Sequence, residues 1–247
     1  MPRLIIFLLS LFSLSASAQT LLKRPLQYVP ADSVFVLPRG DQNIIMDIMA
    51  VAPFAEPKPI VVTKESRRAM KQMLKSPEAE MTFNDRLAAA QQLLLLTGQS
   101  SYADFLSHNY FDVLRRAIVD DGILPSEVRQ ESAQQILDLT GCIIATDGRR
   151  DVYVNIYENC VCRVHTSKFR MLLDVVSSYP DEPAVKLRID GLEPNYTRFA
   201  LHIRVPSNPA PDKFFLDGHE IIRPVIRDGY LVIDREWRNG EEVFFKI

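Results

Sequence analysis

Hydrophobic and polar positions divide this chain into a helical stretch followed by a long run of alternating segments. Four helices are predicted before residue 142. Thr63 begins one that runs to Lys75 and stops at Ser76 and Pro77, and Asn84 begins another over Asp85 to Thr97, closed by Gly98. Ser101 and Asp104 resemble a capping box for Tyr102 to Val119, and Pro125 with Ser126 opens a last helix through Leu139, closed by Gly141. The second helix holds Leu87 and an unbroken Leu93 to Leu96, apolar around much of its circumference. A helix of that kind is buried on more than one side.

From Cys142 the apolar period changes from helical to two. Cys142 to Tyr157 reads as a hairpin about Asp147 and Gly148, because Gly accepts positive φ without steric cost. Phe199 to Pro206 alternates, with Phe199, Leu201, Ile203 and Val205 on one face. Gly229 to Val243 forms two more strands about a turn at Asn239 and Gly240. Further turns are expected at Tyr179–Pro180, Asp190–Gly191, Pro206 to Pro211, Asp217–Gly218 and Asp228–Gly229. Short strands at this spacing predict a β-sandwich. The domain reading is therefore an N-terminal segment over 19–62, a helical region over 63–141 and a sandwich over 142–247. The proline-rich segment 19–62 is expected to be irregular or extended.

Residues 1–18 carry the marks of a secretory signal: Arg3, the apolar run Leu4 to Leu14, and the small residues Ala16, Ser17 and Ala18. That run is shorter than the roughly 20 residues a membrane span requires. The expectation is an exported protein, periplasmic or extracellular, starting at Gln19 and with no membrane span after cleavage. A net charge of −2 and no Lys/Arg block argue against nucleic acid as a partner.

Three cysteines are present, Cys142, Cys160 and Cys162. Cys160 and Cys162 fall on the same face of one strand, where a bridge between them would be strained. A bridge from Cys142 to either is easier, and the sequence leaves the pairing open. A closed zinc site needs about four ligands, and no matching His or Cys pair stands near, so no metal is expected. His108, His165, His202 and His219 are scattered, with His202 facing outward from its strand. No Gly-x-Ser-x-Gly elbow and no phosphate loop occurs.

Four stretches carry a family resemblance. They are Leu96 to Asp104 continuing to Ile118, Ala133 to Asp147 into Val152 to Tyr157, Phe199 to Pro206, and Gly229 to Glu241. Together they resemble the β-L-arabinofuranosidase family of glycoside hydrolases (family 127), in the same order along the chain. The resemblance implies an α+β architecture, a partial (α/α)-toroid-like helical region followed by a C-terminal β-sandwich, in a shortened member. It also implies a zinc centre of three cysteines and a glutamate, one cysteine acting as nucleophile, with a second glutamate as acid/base.

The chain departs from that pattern where the chemistry would lie. Glu78 to Phe83 and the neighbourhood of Glu127 and Val128 have no cysteine, and the cysteines present fall in or beside the sandwich. The inherited zinc–cysteine route is therefore expected to be lost, with no cofactor. Glu127 and Glu131, one helical turn apart, are the candidates for a carboxylate mechanism, set against a solvated helix start. Asp120 and Asp121 read as turn acids. Tyr153, Tyr157, Tyr230 and Trp237 are candidates for stacking on sugar rings, set against a place in the sandwich core.

The leading expectation is a pseudoenzyme: a secreted, catalytically inactive accessory module that binds a glycan or a partner. The partner would be a second copy or a full-length glycosidase covering helix faces that a complete ring would bury. The alternatives are an active arabinofuranosidase-like hydrolase using carboxylates and a structural envelope protein. Outward-facing aromatics would favour sugar binding; buried ones would favour the structural role.

Overall fold

The computed structural model describes residues 22, 24–29, 33–36, 83–119, 139, 141–177, 184–206 and 210–247. The stretch read as a secretory signal, the helix expected from Thr63, the expected turn acids Asp120 and Asp121, and the turn expected at Tyr179–Pro180 lie outside them. So does the helix expected from Pro125, apart from Leu139 at its end.

In chain order the strands begin with β1 (Gln27–Tyr28) and β2 (Val34–Val36), followed by helices α1 (Phe83–Thr97) and α2 (Ser100–Val119). Next come β3 (Ile144–Thr146), β4 (Asp151–Val154), β5 (Cys160–His165), β6 (Arg170–Ser177), β7 (Ala184–Glu193) and β8 (Thr197–Arg204). The chain closes with β9 (Phe214–Leu216), β10 (His219–Glu220), β11 (Ile226–Arg227), β12 (Tyr230–Trp237) and β13 (Glu242–Lys246).

The strands form two sheets, one of six in the order β1-β3-β4-β8-β12-β11 and one of seven in the order β10-β9-β13-β7-β6-β5-β2. Pairing is antiparallel throughout except between β4 and β8, which run parallel from Asp151↔Ala200 to Val154↔Ile203. The core lies between the sheets. Phe199, Leu201 and Ile203 of β8, Leu231 and Trp237 of β12, and Leu173, Val175, Leu187 and Phe245 from the other sheet are all at most 1% exposed. Each such side chain contributes about 1.5–3 kcal/mol through burial. The alternation expected of Phe199 to Val205 is present, with Val205 packed at the margin of this core.

The two described helices pack on each other as one pair, joined through Gly98 and Gln99. They do not make a ring, so the toroid expected from the resemblance is not shown. Leu93 to Leu96 are all buried, as the apolar circumference of α1 required. Where it is described, the segment 19–62 contributes two short strands, and β2 falls within the apolar run from Ser33 to Leu37. Its strands β1 and β2 extend one edge of each sheet, pairing with β3 and β5. The amides of Leu22 and Leu26 donate to the carbonyls of Leu96 and Leu95, which the end of α1 leaves without helical partners. Two- and three-residue strands show no period a sequence can reveal.

The Asp147–Gly148 hairpin turn forms as read, with Gly148 at φ +74°. Asp147 Oδ1 accepts from the amides of Arg149 at 2.8 Å, Arg150 at 2.8 Å and Asp151 at 2.9 Å. Burial works against its charge, but these amides hold its carboxyl below the usual aspartate range. The stabilisation is therefore present above the unfolded value near pH 4 and is lost as pH falls through the lowered folded value. Asp147→Ala should cost about 1 kcal/mol at neutral pH, with the difference from the unchanged protein shrinking in urea titrations near pH 3. Asp190–Gly191, expected as a turn, instead lies inside β7. The register steps from Leu172↔Asp190 to Arg170↔Glu193, one extra residue on β7, so Gly191 at φ +57° sits in a β-bulge.

Candidate functional site at the helix–sandwich joint

The stretches that carry the resemblance converge on one place, where α2 meets the outer face of the six-stranded sheet. Arg204 ends β8 on that face, opposite Tyr230 of β12. It is 2% exposed and engages four groups. Its guanidinium pairs with the Asp104 carboxylate on α2 and donates to Ser107 Oγ at 3.1 Å. Its Nε donates to the Asn155 carbonyl at 2.6 Å, and the cation lies 4.7 Å from the centre of the Tyr157 ring. Arginine suits this position because its planar fork can satisfy several acceptors at once.

Asn155 binds the network to its neighbours. Its Nδ2 donates to the Cys142 carbonyl at 3.0 Å, and its Oδ1 accepts from the Tyr230 hydroxyl at 2.8 Å. Gly229, just before Tyr230, is fixed by the first residue of α2. A Cβ there would lie 1.7 Å from Ser100 Oγ, while the Ser100 amide donates to the Asp228 carbonyl at 2.9 Å. Burial pushes the Tyr230 hydroxyl well above its ordinary pKa and raises that of Asp104, where the attraction of Arg204 only partly offsets it. This joint is a dry, braced contact that holds α2 on the sandwich. Arg204 is thereby enclosed, with 2% of its surface exposed.

Beside it on the same face, Tyr153 and His202 stack with centroids 4.0 Å apart and planes inclined by 12°. His202 Nε2 lies 3.9 Å from Asp151 Oδ1, beyond hydrogen-bond range. His202 thus does face outward from β8, but as half of an aromatic stack. Burial, followed by the nearby carboxylates of Asp151, Asp147 and Asp228, raises the Tyr153 pKa.

The four aromatic candidates for sugar stacking do not present rings to solvent. Tyr153 is 6% exposed, and Tyr157, Tyr230 and Trp237 are at 0%. Each is held by the joint or the core: Tyr157 under Arg204, Tyr230 on Asn155, and Trp237 stacked on Phe199 while its Nε1 donates to the Phe199 carbonyl at 3.0 Å. Tyr153 of β4 and Tyr230 of β12 stand in strands on the outer face, which the helix pair covers, whereas Trp237 of β12 faces the core and Tyr157 falls just after β4. Glu127 and Glu131 lie outside the described residues.

None of the three cysteines forms a disulfide, and all three are buried. Cys160 and Cys162 point between the sheets with Sγ atoms 3.5 Å apart, whereas Cys142 Sγ accepts from Gln91 Nε2 at 3.2 Å. Hydrogen bonding to Cys162 and then burial push the Cys160 thiol up. Among the described residues no three His, Cys, Asp or Glu side chains are grouped to hold a metal, so these cysteines do not fit the zinc centre implied by the resemblance.

Comparison with known families finds a match over the C-terminal part of the chain. Residues 151–247 match the middle domain of GH127 β-L-arabinofuranosidases. The fold agrees with solved structures of that kind. A GH127 β-arabinofuranosidase superposes with a TM-score of 0.52 at 21% identity, covering 66% of this chain and 31% of its own. A GH127 β-L-arabinofuranosidase from Geobacillus stearothermophilus T6 gives 0.51 at 17% identity, with 66% and 30% covered. A third structure, described as a glycoside hydrolase, gives 0.52 at 15% identity, with 66% and 31% covered. The chain thus spans about 31% of the length of the first of these structures. No curated protein sequence matches it. The matched residues 151–247 lie within the sandwich, and the joint ties α2 to it.

Proposed function

We propose that this protein is an exported, carbohydrate-associated module: a GH127-type sandwich with a docked helical segment that binds glycan without cleaving it. The observation that carries this reading is the fate of the cysteines. The family chemistry needs an accessible thiolate on a metal, and here all three thiols are sealed in the sandwich or its joint. The arginine hub that mates helix to sandwich is meanwhile fully built. A module with this construction keeps the sandwich of such a glycosidase and not the nucleophile.

The test is to assay the purified protein for hydrolysis of β-L-arabinofuranosides, with bound zinc and thiol reactivity determined on the same preparation. The expected result is no hydrolysis, no stoichiometric zinc, and three thiols that react only after denaturation. Turnover abolished by Glu127→Gln with Glu131→Gln would establish the carboxylate hydrolase instead. Turnover with one zinc per chain would return the cysteines to catalysis.

A second reading, action in complex with another copy or with a full-length glycosidase, has its own support. Ile222 is 74% exposed, Val225 47% and Ile226 46%, all on the segment that runs from β10 to β11 at the free margin of both sheets. Apolar side chains grouped at a sheet edge are a common mark of an interface. Light scattering of the same preparation at micromolar concentration decides it: a clean monomer removes the homodimer.

A further inference from the structure

Among the residues whose side chains are described, Tyr196 is the one exposed Phe, Tyr or Trp, with 55% of its surface open. It sits between β7 and β8, in the turn at one end of the sandwich, with its backbone at φ +65°. A bulky non-glycine residue in the left-handed region is uncommon and costs free energy, so the surrounding structure must impose it. The bracing is visible. Arg238, from the adjoining turn between β12 and β13, lays its guanidinium 4.8 Å from the centre of the Tyr196 ring.

The two turns are then tied together by amide side chains. Asn239 Oδ1 accepts from the Leu192 amide at 2.6 Å and its Nδ2 donates to the Leu192 carbonyl at 3.3 Å. The Asn239 amide donates to Asn195 Oδ1 at 3.3 Å, and the same oxygen accepts from the Tyr196 amide at 3.1 Å. Glu241 fixes the second turn from below, accepting from the Arg238 amide at 2.8 Å and from Arg235 at 2.9 Å. An exposed tyrosine on a strained backbone, backed by a cation and cross-braced by asparagines, is a preorganised platform.

We infer that Tyr196 is the stacking platform of a sugar-binding subsite, with Arg238 as the cation that orients its ring and offers N–H donors at its rim. The ligand is one ring of an oligosaccharide. The apolar C–H face of a sugar packs on an aromatic face, and guanidinium and amide groups beside it match the ring hydroxyls. The inference rests on the glycan-binding reading and supplies what that reading lacked, since the aromatics first considered for the role are buried. A protein side chain could also seat on a Tyr–Arg pair. The described neighbours of Tyr196 in the two turns are mainly polar, Asn195, Thr197, Arg238 and Asn239 beside Pro194, which favours a hydroxylated ligand.

The experiment is affinity electrophoresis of the purified protein through gels containing soluble arabinan, arabinogalactan or xylan, alongside Tyr196→Ala, Tyr196→Phe, Tyr196→Gly and Arg238→Ala. Retardation by at least one polysaccharide is expected. Tyr196→Ala and Tyr196→Gly should weaken it tenfold or more, Arg238→Ala should weaken it less, and Tyr196→Phe should retain most of it. Melting temperatures of the four variants within a few degrees of the unsubstituted protein separate lost binding from lost folding. Unchanged retardation of Tyr196→Ala would overturn the subsite and leave glycan binding standing. No retardation of the unsubstituted protein in any gel would overturn both.

Discussion

Arg204→Ala is expected to destabilise the protein by about 3–5 kcal/mol, because it leaves the Asp104 carboxylate partly buried with no cation beside it. The loss should be uneven across the molecule. Arg204 joins α2 to the sheet through Asp104 and Ser107, while the sandwich core lies on the opposite face of β8. The chain has a single tryptophan, Trp237, fully buried between the sheets, so its fluorescence reports the sandwich alone. In urea, helical circular dichroism should be lost before the Trp237 signal changes in Arg204→Ala. Coincident and unshifted transitions would show that α2 does not depend on the joint. Pairing Arg204→Met with Asp104→Leu should recover much of the loss, since replacing a buried ion pair as a unit avoids stranding either charge.

Trp237→Ala should cost a comparable amount, about 3–5 kcal/mol, through a different mechanism. It empties the site between Phe199 and the neighbouring strands and removes the Nε1 hydrogen bond to the Phe199 carbonyl. Here the sandwich itself should fail, with one cooperative transition at lower urea by circular dichroism. Trp237→Phe keeps the stacking and loses the hydrogen bond, so it should cost far less, about 1–2 kcal/mol. That variant is also the control for sugar recognition. Glycan binding should survive Trp237→Phe, because the indole is enclosed and cannot touch a ligand; binding lost in a folded Trp237→Phe protein would place the indole in the site after all.

Much of the fold was legible where local chemistry decides it. Asp147 and Gly148 gave their hairpin because an aspartate that collects three amides and a glycine at positive φ are local properties. The alternation of Phe199, Leu201 and Ile203 gave β8, and Asn239 with Gly240 gave the last turn. What depended on distant partners was not legible. The parallel pairing of β4 with β8 joins segments far apart in sequence, and β1 and β2 exist only because two sheet edges are waiting for them. The bulge at Gly191 looked like a turn because the same left-handed glycine serves both.

The site followed the same division. The quoted stretches pointed to the correct segments, yet nothing local shows that Ser100, Asp104, Asn155, Arg204 and Gly229 meet. Arg204 in particular reads as an ordinary polar position at the end of an alternating strand. Tyr196 was missed for a related reason. Flanked by Asn195 and Thr197 it resembles any loop residue, and its exposure and left-handed backbone are set by the neighbouring turn that carries Arg238.

The most direct test of the account is a calorimetric titration of the purified protein with the oligosaccharides that the gel assay selects, with the products analysed from the same cell. The account predicts saturable binding and unchanged oligosaccharide recovered at the end. Release of arabinose or of shortened chains would contradict it, and would make this protein an enzyme in its own right.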